Sequence, residues 1–334
     1  MHQIIYDNKK GELMERVASR FFQKVIIYLI LFSIAVTSYG CTSAGSENTK
    51  IRIGYEANLS NYQFFVADEL GYFEDEGLDV EIIKFNTTNE QTLALLAGQV
   101  DMIPNSSMAL LLEAEAEHPG RFLIFSAHGD LGNKVLVKKD SGITSIDQIA
   151  NLKLGTFPGT TMDTYSKMSL APYFDSAHFP TIVPMQPPNL VEALASGQVD
   201  AIYIVEPFLS IAMQKIEVTE LLDNPLGNIL SPFTGGASVL HKGFADEHPE
   251  EAAAIVRAIE KATAYIREHD TEARDILAKY TGYEDGLFQS TIVGYIWNLD
   301  EIDKQSIQTL ADVFAEAGIV EQQVDTSHWY YIGD

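Results

Sequence analysis

The sequence predicts an α/β protein built from two similar halves, on the evidence of an internal repeat and of alternating strand and helix patterns. The segments 96–101 (Leu-Ala-Gly-Gln-Val-Asp) and 195–200 (Ala-Ser-Gly-Gln-Val-Asp) match, and their glycines lie 99 residues apart. In each copy a helical pattern ends at the glycine and an apolar strand begins at the aspartate. The repeat therefore indicates two units of the same construction.

A second match lies upstream of the first. Residues 51–55 (Ile-Arg-Ile-Gly-Tyr) correspond to 153–156 (Lys-Leu-Gly-Thr), with glycines 101 residues apart. Further strands are expected at 78–85 and 181–185, so the chain follows the order βαβαβ twice. This alternation predicts a mainly parallel sheet flanked by helices in each half.

Two apolar segments, 135–138 and 235–240, are predicted as strands that cross between the halves. They divide the chain into a first lobe of residues 50–137 plus 237–334 and a second lobe of residues 138–236.

The last third of the chain has helical periodicity. Helices are predicted at 249–269, 271–280, 284–297 and 303–317, the first of them opened by Pro249 and followed by two glutamates. Earlier in the chain, the alternating glutamates 113, 115 and 117 predict a solvated helix face.

Composition limits the possible partners. The 334 residues carry a net charge of −25, which disfavours nucleic acid and anionic lipid surfaces as partners of the folded part. Cys41 is the only cysteine, and no two of the eight histidines have the spacing of a metal-ligand pair on one strand or helix. No metal and no cofactor is predicted.

The N-terminus has the pattern of an export signal. A flank with five basic residues precedes an apolar run at 25–36, which is shorter than the ~20 residues of a membrane-spanning helix. Small residues then lead to Cys41. We expect a signal peptide over 1–41, with Met14 as an alternative start, and a flexible polar tether over 42–50.

Three motifs resemble those of a known family. They are 67–80 (Ala-Asp-Glu-Leu-Gly-Tyr-Phe-Glu-Asp-Glu-Gly-Leu-Asp-Val), 152–161 (Leu-Lys-Leu-Gly-Thr-Phe-Pro-Gly-Thr-Thr) and 195–208, which ends in Val-Glu-Pro-Phe. Together they are similar to the type II periplasmic binding proteins of the nitrate, sulfonate, taurine and thiamine-precursor group (NMT1/THI5-like). The resemblance covers roughly residues 50–270.

The resemblance implies a fold of two lobes joined by two hinge strands that close on a ligand. It also implies a monomer that carries a small-molecule solute to an ABC permease with a cytoplasmic ATPase. Cys41 resembles the lipidated cysteine of bacterial lipoproteins: Gly40 fits that pattern, whereas Ser38 departs from the usual leucine. The expected location is the periplasm or the outer face of the cell membrane, with a lipid anchor.

Ligands of open α/β sheets bind beyond the carboxyl ends of the strands, against helix N-termini. That rule, with the family motifs, selects the candidate ligand-binding residues. They are Tyr55, Asn58, Asn61, Tyr62, Asn105, Ser106, His128, Phe157, Gly159, Thr160, Thr161 and Glu206.

Structural roles compete with ligand binding at several of these positions. Asn61, Ser106 and Thr160 have the side chains of helix caps, and Glu206 suits a helix N-terminus. The aromatic candidates have the composition of core residues. The candidate loops contain no arginine, which favours a neutral or cationic organic solute.

Two other functions remain open from the sequence. An enzyme on the same fold is one, but the pyrimidine-synthase type requires a cysteine-rich active-site segment, and the menaquinone-pathway type works inside the cell. A sensor subunit that presents its liganded state to a receptor is the other. The sequence favours a binding protein without catalytic residues.

Overall fold

The computed structural model describes residues 50–129, 132–157, 161–283 and 286–333 of the chain. The export signal, Cys41 and the tether up to residue 49 lie outside the described residues. The strands in chain order are β1 Ile51–Tyr55, β2 Val80–Lys84, β3 Met102–Ser107, β4 Phe122–Gly129, β5 Asn133–Lys138, β6 Lys153–Thr156, β7 Thr181–Pro184, β8 Ala201–Val205, β9 Val218–Asp223, β10 Thr234–His241 and β11 Tyr295–Asn298.

Helices connect and flank these strands. They are α1 Tyr62–Glu69, α2 Tyr72–Asp75, α3 Thr88–Leu96, α4 Met108–Glu117, α5 Thr161–Leu170, α6 Pro187–Ser196, α7 Phe208–Lys215, α8 Lys242–Glu247, α9 Pro249–Glu268, α10 Asp270–Thr281 and α11 Lys304–Glu316. None of the helices in the described part of the chain is both long and apolar enough to cross a membrane.

The strands form two sheets, which confirms the predicted two-lobed α/β fold. The first sheet has the order β11-β4-β10-β3-β1-β2 and the second the order β7-β6-β8-β5-β9. In each sheet the repeat supplies three parallel strands, β2-β1-β3 and β7-β6-β8. The remaining pairings are antiparallel, so both sheets are mixed.

The two crossing strands account for much of the antiparallel pairing. Strand β10 returns to the first sheet between β3 and β4, and β5 enters the second sheet between β8 and β9. All of β5, Asn133–Lys138, pairs in the second sheet, whereas the predicted boundary placed residues up to 137 in the first lobe. The chain thus changes sheets before Asn133 and again between Asp223 and Thr234.

The repeated motif ends a helix and holds a strand in the same way in both lobes. Gly98 and Gly197 end their helices in the left-handed conformation, with φ of 69° and 77°. The aspartate that follows then fixes the first strand of each repeat: Asp101 accepts the Arg52 backbone N–H at 2.8 Å, and Asp200 accepts that of Lys153 at 2.9 Å.

The upstream glycines are equivalent as well. A Cβ atom on Gly54 would lie 3.3 Å from both Val100 and Ile103, and one on Gly155 would lie 3.4 Å from both Val199 and Ile202. The closest atoms would be Phe85 Cε2, 2.8 Å from a Cβ on Gly54, and Leu190 Cδ2, 2.9 Å from a Cβ on Gly155, and each would have to shift to admit a side chain. The two copies of the repeat therefore align in sequence because equivalent residues pack around equivalent glycines.

Apolar residues pack on both faces of each sheet. Helix α9 is an example. Pro249 is its first residue, and Glu250 and Glu251 lie at the positive end of its dipole. Ile255 and Ile259 lie on its buried face. That face covers the first sheet together with α1. The sheets are thereby held as rigid platforms whose carboxyl edges carry the loops between the lobes.

One predicted helix is wrong. Residues 284–297 were expected to be helical, but the described part of this segment contains a short 3₁₀ turn at Leu287–Gln289 and then strand β11. Gly286 and Gly294 adopt positive φ angles of 89° and 72°, which a continuous α-helix does not permit. Tertiary pairing with β4 overrides the helical periodicity.

The predicted solvated face of α4 is wrong in part. Glu113 and Glu117 are exposed, but Glu115 is buried. Its carboxylate accepts the Gly120 backbone N–H at 3.0 Å and lies 2.7 Å from the His328 Nε2 atom. The C-terminal segment covers this position, which the local sequence pattern does not reveal.

Candidate functional site

The carboxyl edge of the first sheet carries a buried group of polar side chains. Asn61 and Tyr62 follow β1, and His128 lies near the end of β4. All three are at most 4% exposed. The Asn61 Oδ1, Tyr62 hydroxyl and His128 Nδ1 atoms have no hydrogen-bond partner among the described residues. Because burying an unpaired polar group is costly, this arrangement is typical of a binding site.

A small pocket opens at this group. Its cavity volume is only about 10 Å³, room for roughly one water molecule, and Tyr62 and His128 supply its titratable groups. Leu59, Val293 and Ile296 form its apolar walls, and Ser60 and Gln63 complete the lining. An apolar wall with a few directed polar atoms is the usual composition of a small-molecule site.

Burial keeps the His128 ring uncharged. Desolvation lowers the pKa of this histidine from its ordinary 6.5 to about 4, so the neutral imidazole predominates at neutral pH. Strand β10 passes beside it at Gly236, where a Cβ atom would lie 2.7 Å from both His128 Nε2 and Asn105 Oδ1. The absence of a side chain at Gly236 lets these two polar atoms approach the same point.

The loop after β1 is organised by its own polar side chains. Asn58 Oδ1 accepts the Ser60 backbone N–H at 3.1 Å, while Asn61 Nδ2 donates to the Glu56 carbonyl oxygen. The Glu56 carboxylate accepts hydrogen bonds from Asn58 Nδ2 at 2.9 Å and from the Thr88 hydroxyl at 2.6 Å. Burial raises the pKa of Glu56. Asn58 thus caps the turn. Asn61, for which capping was the alternative role, makes no side-chain cap hydrogen bond, and its Oδ1 atom has no partner among the described residues.

Other candidates in the first lobe are tied into the structure. Ser106 is fully buried, and its hydroxyl lies 2.9 Å from that of Thr92. The Asn105 carbonyl accepts Gln91 Nε2 at 2.5 Å, and the Gln91 Oε1 atom is a further buried atom without a partner. Tyr55 packs on Phe64, with ring centroids 5.4 Å apart, inside the apolar core. Sequence reasoning did not single out Gln91, because a glutamine on a helix carries no site signal.

In the second lobe, the Glu206 carboxylate reaches across to the first lobe. It accepts the backbone N–H and the hydroxyl of Ser210, each at 3.0 Å, and the backbone N–H of Ile292 at 3.3 Å. The Ser210 and Thr291 hydroxyls lie 3.2 Å apart. Burial raises the pKa of Glu206, and the Ser210 N–H partly opposes that shift. Three chain donors already occupy this carboxylate, so its clearest role is to join the lobes.

The remaining candidates of the second lobe are less defined. Phe157 is buried among Leu136, Leu190 and their neighbours, which agrees with a core role, the alternative to ligand binding for the aromatic candidates. Thr161 begins α5, and nothing is described of its side chain. Gly159 and Thr160 lie outside the described residues.

Tyr165 was not among the predicted site residues, although it crosses between the lobes. It lies on α5 of the second lobe, yet its ring packs on Phe233 and Phe314 with centroids 5.0 Å and 5.8 Å apart. It belongs to the apolar core of the first lobe, and its buried hydroxyl has no well-formed hydrogen bond. A tyrosine at helical spacing gives no sequence signal that distinguishes a bridge from a core residue.

Among the described residues, Tyr165 joins the lobes on one side, and Glu206 with Ser210 joins them on the other. Two α/β lobes with a polar cleft between them define the architecture of the periplasmic binding proteins. The solved periplasmic aliphatic sulphonate binding protein from Escherichia coli has this fold: it matches with a TM-score of 0.72 at 18% identity, over 85% of this chain and 92% of that one. The ligand-binding component of an ABC-type import system from Staphylococcus aureus matches with a TM-score of 0.66 at 16% identity, over 84% and 96%.

The chain belongs to the NMT1-like family, whose model matches residues 44–282. A candidate aliphatic sulfonates-binding protein from Bacillus subtilis is 27% identical over 75% of this chain and 76% of its own length. The taurine-binding periplasmic protein of Escherichia coli is 23% identical over 72% and 76%. These relatives are binding proteins.

One relative is an enzyme. The 4-amino-5-hydroxymethyl-2-methylpyrimidine phosphate synthase of Schizosaccharomyces pombe is 24% identical over 63% of this chain and 62% of its own length. Cys41 remains the only cysteine in the present sequence. Among the described residues no cluster of three or more His, Cys, Asp or Glu side chains could hold a metal ion.

Proposed function

We propose that this protein is an exported solute-binding lipoprotein of an ABC import system. It binds a small organic solute in the cleft between its lobes and delivers that solute to the permease. The observation that carries the proposal is a group of buried polar atoms that have no partner in the described part of the chain: Asn61 Oδ1, the Tyr62 hydroxyl and His128 Nδ1. A bound solute would supply the missing hydrogen bonds and recover their desolvation cost.

The binding residues we propose are the polar candidates at the facing edges of the two lobes. In the first lobe Asn61, Tyr62 and His128 contact the solute, with Asn105 and Ser106 beside them. In the second lobe we propose Gly159, Thr160 and Thr161 as further contacts of the solute. Tyr55, Asn58, Phe157 and Glu206 hold this arrangement in place.

Closure follows from the same contacts. A solute that bridges the lobes adds contacts only in the closed form, and so raises the population of that form. The closed surface is then what the permease recognises. The solved ABC-type component from Staphylococcus aureus supports this reading of the fold.

The solute is identified by native mass spectrometry of the full-length chain, followed by a thermal-shift panel of sulfonates, nitrate, pyrimidines, flavins and amines. We expect a co-purified mass, or a rise in melting temperature of several degrees with one compound class. A protein that retains no small molecule and responds to no class would contradict the binding function.

Tyr62→Phe gives a sharper test of the site. The substitution removes a hydroxyl that has no partner within the described chain, so the ligand-free protein should keep its stability. Affinity for the identified solute should fall about tenfold, the effect of one lost hydrogen bond. Tyr330→Phe is the matched control, because its hydroxyl is likewise buried without a hydrogen-bond partner among the described residues and Tyr330 does not line the pocket. Equal affinity in both variants would remove Tyr62 from the site.

The lipid anchor is tested at Cys41. Cys41→Ala should release the protein from membranes or block its processing, because no thiol remains to be lipidated. Ser38→Leu is the matched control: it restores the usual residue of the lipoprotein pattern and should leave membrane retention intact. Unchanged size and retention in Cys41→Ala would contradict the anchor.

Delivery to a permease is tested by uptake. Deletion of the gene should abolish import of the identified solute, and the full-length chain should restore it. Normal uptake in the deletion strain would favour the sensor alternative. Turnover of the solute by the purified protein would instead favour the enzyme alternative.

A further inference from the structure

Gln63 is a buried amide beside two of the proposed binding residues. It follows Tyr62 in α1, is 4% exposed and lines the same pocket as Tyr62 and His128. Residues 64–67 of the same helix are apolar and fully buried. A polar side chain in such a run is costly unless its hydrogen bonds are made within the chain.

Both polar atoms of the Gln63 amide have partners. The Nε2 atom donates to the Thr263 hydroxyl of α9 at 2.5 Å, and the Oε1 atom accepts from the Ser126 hydroxyl of β4 at 3.1 Å. The Thr263 hydroxyl itself donates to the Ile259 carbonyl at 3.0 Å. Because a hydroxyl has one proton, Thr263 can only accept from Gln63, which determines which end of the amide faces each partner.

Ser126 connects this amide to the pocket walls. It lies two residues before His128 on β4, and side chains two apart on a strand share a face. Its hydroxyl also lies 3.0 Å from the Trp297 carbonyl of β11. The neighbouring residue Ile296 pairs with His128 in the sheet and lines the pocket. One amide therefore joins α1, β4 and β11 around the pocket that all three line.

The hydroxyl partners do not depend on Gln63 for their own hydrogen bonds. Without the amide, Ser126 keeps the Trp297 carbonyl as acceptor, and Thr263 keeps that of Ile259. Removing a buried polar group costs little when no partner is left unsatisfied. A leucine at position 63 would also match the apolar residues that follow. The network is thus better explained by the single arrangement that it selects for the elements it joins.

We propose that Gln63 is a positioning residue of the candidate site. Its hydrogen bonds hold α1 and β4 in the arrangement that places Tyr62 and His128 at one pocket. It acts on His128 through Ser126, and on Tyr62 as its neighbour in the helix. The inference rests on the proposed solute-binding function and deepens it.

The ring signal of His128 tests the proposal without added solute. In proton–carbon correlation spectra of the ring-labelled full-length chain at neutral pH, it is the signal that His128→Gln removes. We expect one signal in the wild type. Gln63→Leu and Ser126→Ala should each shift or split it, because α1 and β4 are no longer held together, while the melting temperature falls by only a few degrees. The double variant should disturb the signal about as much as Gln63→Leu alone, since both changes break the same bond.

Ser238→Ala is the matched control. Ser238 is as buried as Ser126 and pairs with it in the sheet. Its hydroxyl donates to the Pro104 carbonyl at 2.7 Å, outside the Gln63 network. The His128 signal should therefore stay in place in this variant. An equal shift in Ser238→Ala would mean that the signal responds to any buried hydroxyl lost from the sheet, and would overturn the inference.

An unchanged His128 signal in folded Gln63→Leu would also overturn it, and Ser126→Ala decides the question if Gln63→Leu does not fold. The molecule that co-purifies with the wild-type chain gives a second readout. Native mass spectra should show less of it on Gln63→Leu than on Ser238→Ala, and equal retention would limit Gln63 to a structural role. The solute-binding function fails separately, by the absence of any co-purified mass and of any response across the compound panel.

Discussion

The two lobes are alike at the amino edges of their sheets and different at the carboxyl edges. At the amino edge, Asp101 and Asp200 hold the first strand of each repeat through the same backbone contact. At the carboxyl edge, the first lobe gathers buried polar atoms, whereas the second sends Tyr165 and Glu206 across the cleft. The repeat therefore preserves a scaffold, and the proposed binding residues lie where the two copies diverge.

The first test of this division replaces Tyr165, a second-lobe residue whose ring is expected to stabilise the first lobe. Tyr165→Ala should lower the free energy of unfolding by ~3 kcal/mol, the usual cost of truncating a buried aromatic ring. Hydrogen exchange should show the loss in α11 of the first lobe, where the ring packs on Phe314.

Tyr203→Ala is the matched control for that experiment. Tyr203 is equally buried but belongs to the second lobe's own core, so faster exchange should stay within the second sheet. If Tyr165→Ala also loosens only the second sheet, the ring does not join the lobes.

The second test uses the acid dependence of stability. The pKa of His128 is lowered by burial from 6.5 to about 4, so the folded protein binds fewer protons than the unfolded chain between these values. Stability is therefore fully present above pH 6.5 and is lost as the pH falls toward 4, by up to ~3 kcal/mol.

His128→Gln should remove this part of the acid sensitivity. Urea unfolding at several pH values measures it, and the exposed His178 of the second lobe supplies the control variant His178→Gln. Parallel stability curves for the wild type and His128→Gln would show that the ring is not held neutral by burial.

The third test compares the repeated aspartates. Asp101 pairs with the Arg52 guanidinium as well as its backbone, whereas Asp200 has only the backbone contact of Lys153 and is exposed. Asp101→Ala should therefore cost ~2 kcal/mol and Asp200→Ala less than ~1 kcal/mol. Chemical denaturation of the two variants measures their free energies of unfolding. Equal losses would mean that the ion pair with Arg52 adds no stability.

The smallest expected effect is that of Tyr165→Phe. Its hydroxyl is buried without a well-formed hydrogen bond, so removing it should change stability by less than ~1 kcal/mol, in the stabilising direction. A loss of more than that in thermal unfolding would reveal a hydrogen bond to the start of α4.

Prediction from the sequence succeeded where local and repeated signals agreed. Strand β1, helix α9 and the two helix–glycine–strand motifs lie within a few residues of the predicted positions. It failed at 284–297, where helical periodicity gave way to sheet pairing, and at Glu115, which the distant His328 covers. In both places the deciding contacts come from far along the chain.

The candidate site was predictable in its location and less so in its roles. The rule of the carboxyl edges led to Asn61, Tyr62 and His128. Of these, Tyr62 and His128 line one pocket, and each of the three has a buried atom without a hydrogen-bond partner among the described residues. The rule could not separate these from Tyr55, which packs in the core. The same types of residue serve as caps, core and binding groups, and only their partners distinguish them.

The sequence alone determined the two-lobed α/β plan, because glycine stops, strand starts and register matches are local features that occur twice. The tertiary structure alone decided that Tyr165 enters the other lobe and that three chain donors occupy Glu206. It also decided that Asn61 Oδ1, the Tyr62 hydroxyl and His128 Nδ1 have no hydrogen-bond partner among the described residues. The physical reason is that hydrogen-bond satisfaction and desolvation depend on neighbours in space, and these neighbours come from segments far apart in the chain.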